Sequence, residues 1–329
     1  MNYGDLLKGA WHVTWRHKYL WVLGFFAAEG GGCGLSGDYS FGADEPITWS
    51  GRTWVPLGEL VERHWPVVLA LVAGGLALAL VFLVLRVVAA AGLIHGTDQA
   101  LAGRPGAGLG AAWRRGLQVF WPMVGLGLLT TLIALAGILA VAGSAAVPIA
   151  FLVLSRDMGP GGVIGVALIA LGAVAVLIPA AVALQLVWNW STRALVLQGR
   201  PAGVSLRLGW RILRDNPGHS LLAWALQTAI SIAASIPAAV ALAVLGLPVV
   251  LLLLHTKGDL APFAWSTVGL AAFVVLAALG VYGAAVSTYV NAYWTAAFRQ
   301  ITAGIAPAAT APPGGPSGDA PHPSSRAGA

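Results

Sequence analysis

Three apolar runs in the C-terminal half of this chain are interrupted by polar side chains at helical spacing. Gln185 and Asn189 stand at i, i+4; Gln227, Ser231 and Ser235 at i, i+4, i+8; Ser287 and Asn291 at i, i+4. Amides and hydroxyls in such surroundings must find partners, because hydrocarbon offers none. Two arrangements satisfy them. The stripes face one another around a small polar cavity for a ligand or lipid headgroup, or they bond across helices and fix packing, at about 0.6 kcal/mol per contact. Packing is the simpler of the two, since no Asp or Glu sits within these runs to couple ions or protons.

A second kind of chemistry lies between the runs. From Gly199 to Pro217 the chain carries Arg207, Arg211 and Arg214 at i, i+4, i+7, with Leu206, Trp210 and Leu213 on a neighbouring stripe. Such a helix lies on a membrane surface, where each basic residue gains about 1 kcal/mol from anionic headgroups. Arg207, Arg211 and Arg214 are therefore candidate anionic-lipid contacts, besides marking the inner side of the membrane. The pattern returns at 103–121, and Leu101-Ala102-Gly103-Arg104-Pro105 aligns with Leu197-Gln198-Gly199-Arg200-Pro201. A looser version is the amphipathic segment Tyr3 to Lys18, with Leu7, Trp11 and Trp15 along one side.

Composition sets the frame for both. Of 329 residues 58% are hydrophobic and 9% charged, which places the chain among polytopic membrane proteins rather than soluble domains. The net charge of +6 comes from short basic clusters between apolar runs, as topology requires, and nucleic acid is not an expected partner. Cys33 is the single cysteine, which rules out an internal disulfide. Glu59, Glu62 and His64 read as a solvated helix face rather than a metal site, and no catalytic motif, metal or cofactor site is expected.

These observations predict an all-α integral membrane fold with six membrane segments, arranged as three tandem helix pairs, each preceded by a basic amphipathic interfacial helix. The polytopic domain covers 1–305, in repeat units 1–95, 96–198 and 199–305. The tail 306–329, rich in Pro, Gly and Ala, reads as disordered and cytoplasmic. The expected segments are Tyr19 to Ala28, Pro66 to Ala91, Trp121 to Leu154, Val163 to Leu197, His219 to Leu254 and Phe263 to Phe298. The first is short against the ~20 residues a span needs. Glu29 to Trp65 reads as an outer loop in which Pro56 to Trp65 forms a short surface helix. Arg86 is expected to snorkel toward the inner interface. The N-terminal run lacks a small residue where a signal would be cut, so no cleavage is expected.

Orientation follows from the basic residues. Lys8, Arg16, Lys18, Arg104, Arg114, Arg115, Arg193, Arg200, Arg207, Arg211, Arg214 and Arg299 fall on one side, against Arg52, Arg63, Arg156 and Lys257 on the other. Both termini are thus expected in the cytoplasm, in a bacterial cytoplasmic membrane.

The stretch Trp15-Arg16-His17-Lys18-Tyr19-Leu20-Trp21-Val22-Leu23-Gly24-Phe25-Phe26, the Gly-Arg-Pro junctions and Gly209-Trp210-Arg211 resemble uncharacterised bacterial polytopic proteins. These are similar to the membrane domain carried by some glycerophosphoryl diester phosphodiesterases. The resemblance covers most of residues 1 to 305 and implies a multi-helix membrane module. It implies no catalytic residues, since the phosphodiesterase activity belongs to a separate soluble domain. The expected role is a non-enzymatic membrane scaffold or accessory component that organises lipids or partner proteins, or assembles with copies of itself. The alternative is a small-solute or lipid transporter using the polar stripes. A transporter needs the stripes to converge on an accessible cavity; a scaffold needs only closed packing.

Overall fold

Runs dominated by Leu, Ala and Val, punctuated by few polar groups, close their backbone hydrogen bonds internally as long helices, which is the open-chain solution available in hydrocarbon. The computed structural model describes residues 2–28, 48–49, 52–53, 57–104, 108–154, 160–255 and 262–305. Its helices are α1 (Tyr3–Arg16), α2 (Tyr19–Ala27), α3 (Leu57–Leu101), α4 (Leu109–Gln118), α5 (Phe120–Leu154), α6 (Pro160–Gln198), α7 (Ala202–Asp215), α8 (Pro217–His255) and α9 (Pro262–Ile305). A hairpin of two-residue strands, β1 (Thr48–Trp49) and β2 (Arg52–Thr53), pairs Thr48 with Thr53 and Trp49 with Arg52.

Among the described residues five helices are long and apolar enough to cross a membrane: α3, α5, α6, α8 and α9. Nine residues of α2 rise about 14 Å, half of a ~30 Å hydrocarbon core. The helix expected over Pro56 to Trp65 is not separate; Leu57 begins α3, which continues through Pro66. Most of the expected outer loop and the tail lie outside the described residues, as do the side chains of Glu59, Glu62 and His64.

The amphipathic helices α1, α4 and α7 lie at one end of the bundle. α4 packs on the end of α3, α7 on the end of α6, and α1 on α9. Both Gly-Arg-Pro junctions turn through a left-handed glycine, at φ 62° for Gly103 and 65° for Gly199, where a side chain would be strained. At the first, Arg104 N–H donates to the Gln99 carbonyl and Gly103 N–H to Ala100, both at 3.2 Å, closing a Schellman cap. At the second, a 3.0 Å bond from Gly199 N–H to the Leu195 carbonyl closes the simpler left-handed cap. Arg115 of α4 then reaches across to donate to the Val196 carbonyl at 2.9 Å, capping a terminal carbonyl of α6.

The surface helices α1 and α7 bury small residues against the bundle and turn their tryptophans outward. On α7 the buried stripe is Ser205, Gly209 and Ile212, while Trp210 is 56% exposed. On α1 it is Leu6, Ala10, Val13 and Thr14, with Trp11 and Trp15 outside. Small residues win the interface because they bring backbones together: a Cβ on Gly209 would sit 2.7 Å from the Val187 carbonyl oxygen, and one on Gly116 would strike that of Val88. The spacing Gly92, Gly96 also marks a close approach, to the Ala112 carbonyl and Leu20, whereas Gly161 faces open space.

The core sits at this same end. Trp190, Tyr293, Trp294 and Phe298 are buried there together with Leu20, Leu23, Leu93 and Leu186. Trp190 and Trp294 meet edge to face at 5.0 Å between ring centres. α9 is the hub: Thr288 Oγ1 donates to the Leu20 carbonyl at 3.2 Å, and Thr295 Oγ1 lies 3.3 Å from Thr97 Oγ1 on α3.

Candidate functional site

All seven residues of the polar stripes line one partly open cavity of about 730 Å³. α6 contributes Gln185 and Asn189, α8 contributes Gln227, Ser231 and Ser235, and α9 contributes Ser287 and Asn291. The remaining wall comes from α2, α3 and α5, including Ala27, Ile94, Met123 and Gly127. The stripes therefore do both of the things open to them: they bond across helices, and they surround a space.

The crossing bonds are specific. Trp224 Nε1 donates to Gln185 Oε1 at 3.2 Å, tying α8 to α6. Trp294 Nε1 donates to Gln227 Oε1 at 2.7 Å, tying α9 to α8. Tyr282 donates from its hydroxyl to the Ala234 carbonyl at 2.8 Å. Asn291 Nδ2 donates back to the Ser287 carbonyl at 3.0 Å, within its own helix.

Arg193 extends the α6 stripe by one more turn, at i+4 from Asn189 and i+8 from Gln185, and lines the cavity at 2% exposure. Its Nη1 donates to the Asn189 carbonyl at 2.8 Å, its Nη2 lies 3.4 Å from Asn291 Oδ1, and its guanidinium carbon is 5.7 Å from the Trp294 ring centre. Sequence reading placed this residue only among the basic inner positions; continuing the Gln185–Asn189 spacing was the signal that identifies it. Arg86 of α3 is also in the cavity wall, as are Trp188, Tyr282 and Trp294.

The site occupies a defined depth. Residues 66–85 end at Arg86, 163–184 at Gln185, and 268–286, apolar but for Tyr282, at Ser287; 236–254 begin after Ser235. Each stretch is about 20 residues, the length that crosses the hydrocarbon core. The cavity thus lies at one edge of the apolar belt, on the side where α1, α4 and α7 are gathered.

Arg207, Arg211 and Arg214 are elsewhere: all three are exposed on α7, outside the cavity. Among the described residues no group of three or more His, Cys, Asp or Glu is placed to hold a metal.

No curated protein and no solved structure matches this chain. A family model does, described as a family of unknown function (DUF7544) and covering residues 13–302. With nearly the whole helical region matched, the chain belongs to that family of unknown function.

Proposed function

We propose that this protein binds a small polar or amphiphilic ligand in the cavity between α6, α8 and α9, as a membrane carrier does, and performs no covalent chemistry. The observation that carries this reading is the convergence of Gln185, Asn189, Gln227, Ser231, Ser235, Ser287 and Asn291 on one space. A scaffold needs those groups only to seal against one another; here a cavity of about 730 Å³ remains among them.

In this reading α2 is a sixth, partly inserted segment, and the chain is three units, 1–95, 96–198 and 199–305. The matching left-handed glycines and the three helix-on-span contacts support that division. The short helices rest on the inner face of a bacterial cytoplasmic membrane, with both termini inside, as the basic residues favour. Labelling of Cys33 by an impermeant maleimide in intact cells is the expected outcome; labelling only after lysis would reverse the orientation. The likeness to the phosphodiesterase membrane domain fits a module of this kind.

The scaffold role keeps one supporting observation, the exposed Arg207, Arg211 and Arg214 beside the exposed Trp210 on α7, a surface suited to anionic headgroups. It accompanies the binding role as the device that seats the bundle.

Ser231 is exposed to the cavity, so Ser231→Trp fills the space without disturbing buried packing. The protein purified in native lipid should retain a bound small molecule, detected by mass spectrometry, that Ser231→Trp loses while melting at the same temperature. An identical set of bound molecules in both would end the binding reading.

A further inference from the structure

We infer that the cavity receives the phosphate-bearing headgroup of an anionic phospholipid, whose acyl chains lie along the neighbouring apolar helices; this deepens the binding reading above and rests on it. The hydrogen-bond inventory of the wall carries the chemistry. An indole N–H can only donate, so the bonds from Trp224 and Trp294 fix the carbonyl oxygens of Gln185 and Gln227 toward the tryptophans. The two NH2 groups turn the other way, and no described residue accepts from them. Asn291 Oδ1 already faces the Arg193 guanidinium, and its Nδ2 is satisfied by Ser287. What the wall offers is therefore mainly donors, joined by the Arg86 guanidinium, with no Asp or Glu among the described lining residues. A phosphate, with several acceptor oxygens and negative charge, is the complement of such a wall.

Depth and shape choose the lipid over a free anion. The polar lining begins where the apolar stretches of about 20 residues end, which is headgroup level. α8 packs along α9 and α7, while its side-chain hydrogen bond to α6 runs through Trp224 and Gln185. Above that bond Ile232 and Ile236 of α8 are 60% and 59% exposed, an apolar surface for an acyl chain whose headgroup sits by Ser231 and Ser235.

The test is equilibrium binding of radiolabelled phosphatidylglycerol to the full chain in neutral detergent, with phosphatidylcholine, glycerol 1-phosphate and inorganic phosphate as competitors. Saturable binding is expected, displaced by unlabelled phosphatidylglycerol but not by the two soluble phosphates, with phosphatidylcholine weaker by about tenfold, because its ammonium group meets the Arg86 and Arg193 guanidiniums in a wall with no described carboxylate to receive it. Arg86→Gln should weaken binding by a similar about tenfold, and Ser231→Trp should abolish it. Thermal melting of both variants checks that they fold. Equal competition by phosphatidylcholine overturns the anionic specificity, and displacement by either soluble phosphate overturns the lipid, each leaving the cavity as a binding site. Unchanged binding by Ser231→Trp overturns the cavity itself.

Discussion

The two ends of the same five long helices are built on opposite rules. Toward α1, α4 and α7 the backbones touch: Gly116 rides on the Val88 carbonyl, Gly209 on Val187, and Gly24 on Ala284 at 2.5 Å from where a Cβ would be. Trp190 and Trp294 are shut from solvent there. In the apolar belt the helices part. Leu71 and Phe273 are about 70% exposed, and added Cβ atoms on Gly74, Gly137 or Gly172 would meet nothing within 4 Å. The first end is held by the protein itself and the second by lipid, which removes any hydrophobic drive to close the helices. The cavity lies at the changeover, where side chains are positioned by the packed end yet reachable from the membrane.

The sharpest way to break this contrast is glycine replacement. Gly116→Ala and Gly209→Ala should each destabilise the detergent-solubilised protein by about 1–3 kcal/mol, the usual cost of overpacking. Gly137→Ala and Gly172→Ala should be neutral or stabilising by up to about 1 kcal/mol, since alanine is the better helix former. Equal losses at all four positions, read from unfolding curves, would erase the distinction.

Smaller effects sharpen it. Gln227→Leu strips the Trp294 indole of its 2.7 Å partner and should cost about 0.6–1.5 kcal/mol, whereas Ile236→Ala, exposed at the start of the belt, should cost less in the same assay. Asp98→Asn breaks a 3.7 Å contact to Arg299, whose side chain is 43% exposed, so the loss should stay under about 1 kcal/mol and shrink with added salt. The weakest effect concerns His17, between α1 and α2. Burial pushes its pKa down, helped by the charge of Arg16 and of His12. The unfolded chain then binds the proton more readily, so stability should rise slightly with pH up to the ordinary histidine range and level off above it. Replacement by Gln should flatten that slope.

How much of this the sequence disclosed depends on the length scale. Polar residues at i, i+4 in apolar helices face inward because lipid excludes them, so Gln185, Asn189, Gln227 and Asn291 could be named from spacing alone. That their stripes meet around a space is a fact of three-dimensional packing, and the one-dimensional pattern, with no Asp or Glu in the runs, favoured closed packing. Arg193 continues the Gln185–Asn189 spacing, yet a positive residue near a helix end also follows from topology, and that second explanation masked the first. Amphipathicity marked α1 and α7 as surface helices without showing which residues they bury against the bundle. Trp11, Trp15 and Trp210 are the large apolar side chains, yet the interface needs Ala10, Ser205 and Gly209, whose value lies in how little they occupy. Among 43 glycines, spacing could not single out Gly116 and Gly209 from those facing open space.

The central claim, that the polar stripes enclose a wet cavity while adjacent positions face lipid, is tested most directly by thiol reactivity. In a Cys33→Ser background, Ser231→Cys and Ile232→Cys would be exposed to a charged methanethiosulfonate reagent in membranes accessible from both sides. The reagent needs a thiolate, and a thiolate needs water. Modification of Ser231→Cys with Ile232→Cys unmodified is the predicted result; equal reactivity of the two, or none at Ser231→Cys, would contradict it.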